Sequence, residues 1–113
     1  MTRVVRGRLL PSAEAPSVGE RNEEIARLSG AVVRQILSGA LPSPLDYDQD
    51  HDEWVVVLNG GAVLEVGDDR LDLVAGDWVL LRAHTVHRLI ETQPGTSWLA
   101  VHAPGDGRPL GPV

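Results

Sequence analysis

The segment Asp46–Glu53 reads D-Y-D-Q-D-H-D-E, four aspartates alternating with Tyr47, Gln49, His51 and Glu53. Carboxylates, an imidazole and an amide oxygen at this density are the donors that hold divalent cations, and a carboxylate near an imidazole can also exchange protons with a bound molecule. A calcium loop is the first chemistry to weigh, because D-x-D-x-D opens an EF-hand. It fails at two positions: His51 stands where the sharp turn needs glycine, and Val57 where the bidentate glutamate belongs. The remaining histidines are His84 and His87, both in R-A-H-T-V-H-R-L, and His102, which ends S-W-L-A-V-H. The chain has no cysteine and no lysine, so thiolate ligands, disulfides, a cysteine nucleophile and a lysine Schiff base are excluded.

How these groups could act depends on the elements that carry them. If residues 46–58 are extended, Asp46, Asp48, Asp50 and Asp52 share one face, since strand side chains alternate. Tyr47, Gln49, His51 and Glu53 share the other, which continues into Val55 and Val57. The plain acids then form a solvated outer face, and the varied donors line an apolar interior. By the same alternation His87 lies with Thr85 and Leu89, and His102 with Trp98 and Ala100.

From residue 53 onward turn signals recur every 8 to 10 residues, at Asn59-Gly60, Gly67-Asp68-Asp69, Ala75-Gly76-Asp77, Ala83-His84-Thr85 and Gln93-Pro94-Gly95. Short apolar runs between such signals predict an all-β sandwich or barrel. Asn59-Gly60, between E-W-V-V-V-L and A-V-L-E-V, predicts a type I′ hairpin. Upstream, R-V-V-R-G-R-L-L reads as a first strand, R-N-E-E-I-A-R-L-S-G as a short helix ending near Gly30, and A-V-V-R-Q-I-L-S as a strand. The expected organisation is a strand, loop and short helix over residues 1–30, a barrel over 31–103, and a loose Pro/Gly-rich tail over 104–113.

Length and charge narrow the function. A chain of 113 residues is one domain with enough interior for a packed core. A net charge of −6 argues against nucleic acid or an anionic membrane surface as partner. With no apolar run of spanning length and no apolar signal segment, a cytoplasmic protein is expected.

Two sub-patterns resemble the cupins over roughly residues 31 to 103. Glu53, the six residues W-V-V-V-L-N and Gly60 match the second half of their first motif, G-(x)5-H-x-H-(x)3,4-E-(x)6-G. Gly76, then D-W-V-L-L, Arg82 in the proline slot, His84 in the glycine slot, His87 in the histidine slot and Glu91 in the asparagine slot follow the other motif, G-(x)5-P-x-G-(x)2-H-(x)3-N. The resemblance implies a double-stranded β-helix, a jelly-roll barrel with a short N-terminal helix. It also implies a divalent metal (Fe, Mn, Ni or Zn) held by two first-motif histidines, the glutamate and the second-motif histidine. Here Tyr47 and Gln49 occupy the two histidine slots. Glu53 and His87 therefore keep their ligand roles, and Gln49 or a shifted His51 would complete the set.

Two functions follow from this resemblance. One is a barrel that binds a small molecule, with or without a metal, in a pocket including Tyr47, Gln49, Val55 and His102. The other is a metal-dependent enzyme, dioxygenase- or isomerase-like, on a small polar substrate, with Tyr47 or His102 as acid, base or orienting group. In either, W-V-V-V-L-N is apolar on both faces, and since cupins commonly pair through such sheets, a homodimer is expected.

Overall fold

A computed structural model describes residues 3–104 as nine antiparallel strands in two facing sheets. The strands are β1 (Glu20–Leu28), β2 (Ala31–Ser38), β3 (Leu45–Tyr47), β4 (His51–Asn59), β5 (Gly61–Val66), β6 (Asp69–Val74), β7 (Trp78–Leu81), β8 (His87–Thr92) and β9 (Thr96–Pro104). One sheet runs β1-β2-β9-β4-β7 and the other β3-β8-β5-β6. Val55, Val57, Leu64, Leu73, Leu81, Leu89 and Trp98 meet between them as the core. The expected all-β jelly roll is therefore the fold. Among the described residues no helix is long and apolar enough to cross a membrane.

The N-terminal expectations need correction. Residues 3–10 form no strand, and the only helical turn among the described residues is a 3-10 turn at Ser12–Glu14. The segment expected to be a helix is β1, paired with β2 from Glu20↔Ser38 to Leu28↔Ala31 with a bulge between Glu24 and Ala26. Its good helix formers are overruled by the free edge of β2, which offers a full ladder of backbone partners. Ser29 and Gly30 both have positive φ, 46° and 91°, so S-G closes a two-residue hairpin with the left-handed pair a type I′ turn needs. It does not cap a helix. Ion pairs Arg21–Glu23 and Arg27–Glu24 charge this edge strand, which discourages another strand from adding to it. Most of the expected tail, residues 105–113, lies outside the described residues.

Asn59-Gly60 is not a hairpin. β4 pairs with β7 and β9, whereas β5 pairs with β6 and β8, so the chain changes sheets at this dipeptide. Only Gly60 of the two has positive φ (88°), and the Asn59 amide donates to Ser12 Oγ at 2.8 Å, tying the 3-10 turn to the corner. A true two-residue hairpin joins β5 to β6 through Gly67-Asp68, with Gly67 at φ 58° in the first central position that a type II′ turn gives to glycine.

Candidate functional site

The alternation expected of residues 46–58 survives a bend at 48–50 between β3 and β4. Tyr47, Gln49, Glu53 and Val55 line a cavity of ≈ 230 Å³ between the sheets. Leu64 and Leu89 from the smaller sheet and Leu81 and Trp98 from the larger supply its apolar lining, and His87 enters from β8. The aspartates stay outside, each with a partner. Asp46 accepts from Arg88 Nε at 2.6 Å, and Asp48 lies 3.4 Å from His84 Nδ1. Asp52 accepts from the Ala83 amide at 2.8 Å and from Arg82 at 3.2 Å, contacts that hold its carboxyl below the usual aspartate range. This outer face thus pins the 82–86 loop and the start of β8 in place. His84, in the motif's glycine slot, adopts the left-handed φ of 62° and donates its backbone N–H to the Gln49 carbonyl at 2.7 Å.

Inside the cavity the donors are oriented. His87 donates Nδ1–H to the Thr85 carbonyl at 2.8 Å, which leaves Nε2 as its acceptor. Its ring stacks on Tyr47 at 5.2 Å between centroids and 13° between planes. Tyr47 in turn donates to Glu20 Oε1 at 3.4 Å; burial and then the Glu20 charge push its hydroxyl well above the usual tyrosine range. Ser38 donates to the other Glu20 oxygen at 2.6 Å and accepts from Trp98 Nε1 at 3.0 Å.

His51 and His102 do not join this group. They do not line the cavity, and their rings meet through His51 Nε2 and His102 Nδ1 at 2.8 Å. The exposed Asp50 carboxylate lies 3.1 Å from His51 Nδ1 and can only accept. That assigns the tautomers in turn: His51 donates to Asp50, His102 donates to His51, and His102 Nε2 is left as an acceptor facing Glu53 Oε2 at 3.5 Å. Burial raises the Glu53 carboxyl above its ordinary value, against the lowering pull of the His87 and His51 charges. Burial, then the neighbouring His51 and Arg34 charges, lower the His102 pKa to about 4.

The residues present do not build the metal centre that the resemblance implies. Both ring nitrogens of His51 are engaged, and among the described residues no three His, Asp, Glu or Cys side chains come together to hold a metal ion. What the structure gathers is Glu53, His87 and Gln49 around one cavity, Glu53 from the larger sheet and His87 from the smaller.

Three further polar lining residues escaped the sequence reading: Glu20 and Asn22 on β1, and Arg34 on β2. The first two were hidden by the helix expected there. Arg34 carried a usable signal, because alternation puts it on one side with Val32 and Ile36, an unusual place for a charge.

A cupin-domain family model matches residues 32–102. No curated protein matches the sequence. Among solved structures, a Ralstonia eutropha protein named "putative mannose-6-phosphate isomerase" is 33% identical, with 87% of this chain and 99% of that one covered and a TM-score of 0.71. A cupin superfamily protein from Desulfitobacterium hafniense shares 18% identity over 91% of this chain and 96% of its own, TM-score 0.71. KdgF from Halomonas shares 17% over 76% and 81%, TM-score 0.69. With its barrel, its Glu53–Gly60 and Gly76–His87 spacings and the family match over the same residues, the chain belongs to the cupin family.

Proposed function

We propose that this cupin binds a small polar molecule inside its barrel and needs no resident metal to do so. The observation that carries this reading is the cavity, polar along Tyr47, Gln49, Glu53 and His87 and apolar along Leu64, Leu89 and Trp98. A concave site with a few oriented polar groups against apolar walls is the usual form of a small-molecule site. The test is thermal unfolding against a panel of small polar compounds, with and without EDTA. A ligand present at ten times its Kd should raise the melting temperature by about 5–10 °C. The rise should persist in EDTA and disappear in Tyr47→Ala. A panel with no stabilising compound counts against the reading.

The alternative is a metal-dependent enzyme of isomerase or dioxygenase type. It is favoured by the 33% identity to the Ralstonia protein named for an isomerase and by Glu53 and His87 facing one cavity. Stabilisation that appears only after a divalent cation is added would select it.

We also propose that the chain forms a homodimer. On the outer face of the larger sheet, Trp54 sits between Leu80 and Val101, and Val56 between Trp78 and Leu99. Trp78 is 61% exposed, and its ring lies 6.2 Å from that of Trp54. These rows hold no charged side chain, so two copies related by a two-fold axis meet without like-charge repulsion. Light scattering at micromolar concentration should give the dimer mass, and Trp78→Glu the monomer mass. A monomer in the unaltered protein removes this proposal.

A further inference from the structure

Arg34 is a cavity charge that no carboxylate among the described residues meets in a direct ion pair, although its field reaches Glu53. It lies on the inner face of β2, half-buried among the lining residues, with Ala100 and Glu24 as its ladder partners. Among the described residues its guanidinium makes no ion pair and no side-chain hydrogen bond. The carboxylates nearby are otherwise engaged. Glu20 accepts from Ser38 and Tyr47, Glu24 pairs with Arg27, and Glu53 faces His102. A guanidinium withdrawn from water without a partner is costly, and five N–H donors in a planar fork fit a two-oxygen anion.

Resting on the binding reading above, we infer that the barrel takes a small hydroxy-carboxylate, its carboxylate on Arg34 and its hydroxyls along Asn22, Gln49, Glu53 and His87 Nε2. Three observations favour a carboxylate over a phosphate. The cavity offers one arginine, and among the described residues no α-helix N-terminus is available to hold a dianion. Glu20 lies in the same cavity and would repel a second negative charge. The space, ≈ 230 Å³, suits a single small molecule. The hydroxyl requirement comes from the polar lining of the cavity, which includes two amides, a carboxyl and an imidazole acceptor.

The experiment is calorimetric titration in EDTA with three probes of one carbon skeleton: gluconate, glucitol and glucitol 6-phosphate. Gluconate should bind best, and Arg34→Gln should weaken it roughly 10- to 100-fold, the range carried by a charge-assisted pair of hydrogen bonds. Arg34→Lys, which keeps the charge but not the fork, should fall between. Circular dichroism of both variants shows that the barrel is intact. Equal affinity of gluconate for the unaltered protein and Arg34→Gln overturns the inference, as does preference for the phosphate or no gluconate binding. If glucitol or a compound of the thermal panel still binds in EDTA, the barrel-binding reading stands and the ligand class alone is wrong.

Discussion

Gly60→Ala is expected to destabilise the fold by about 3 kcal/mol or more. Two costs combine. At φ 88° an L side chain meets its own backbone, a strain of about 1–2 kcal/mol. The added Cβ would also run into Thr96 Oγ1 and approach the Thr96 Cα to 2.8 Å, and overpacking of that kind costs about 1–3 kcal/mol. Thr96 has no room to yield. It is fully buried, and its hydroxyl lies 3.1 Å from the Gly61 amide, 3.0 Å from the Gly61 carbonyl and 2.7 Å from the Gln93 carbonyl. This corner is where the chain leaves β4, which carries Glu53 and Val55, for the opposite sheet. The variant should therefore lose ligand stabilisation along with its melting temperature. Urea unfolding of both proteins decides the matter; a loss below about 1 kcal/mol would mean that the corner relaxes at little cost.

The same glycine shows how far the sequence could be read. Its spacing from Glu53 marked the family, yet the local signal of Asn59-Gly60 pointed to the wrong connection. An Asn-Gly pair states that a left-handed residue is needed, not which strand comes next to which. The sheet partners of β4 are β9 and β7, more than twenty residues along the chain, and no short window contains them. Glu53, Tyr47 and Gln49 were legible because strand alternation is local, and it carried across the bend at 48–50. The 20–28 segment was misread because its composition suits a helix, while its actual state depends on β2 having an unpaired edge. With it went Glu20 and Asn22. His51 and His102 were legible as interior-facing but not as each other's partners, since their meeting depends on the register that sets His51 opposite Pro104 and Glu53 opposite His102.

That pairing sets the pH dependence. An imidazole whose folded pKa falls from 6.5 to about 4 leaves the unfolded chain holding more protons between those values. Stability from His102 is then present above about pH 6.5 and lost as pH falls towards 4. Glu53 acts in the opposite sense. Its folded pKa is raised above 4.5, so the folded state holds the extra proton, and that contribution is lost as pH rises through the raised value. The two windows overlap above about pH 4.5, and the contributions partly cancel in the unaltered protein. Glu53→Gln removes one of them while keeping the shape and a donor for His102 Nε2. Its stability should climb between pH 4 and 6.5 by on the order of 2 kcal/mol more than that of Glu53→Gln/His102→Gln, in which neither group titrates. The comparison of these two variants cancels the titration of the surface carboxylates common to both. Urea unfolding at half-unit steps of pH gives the two curves. Divergence on the acid side, with the double variant flatter, is the expected outcome; parallel curves would mean that His102 is not held neutral by the fold, and that the hydrogen bonds from His102 through His51 to Asp50 are assigned in the wrong direction.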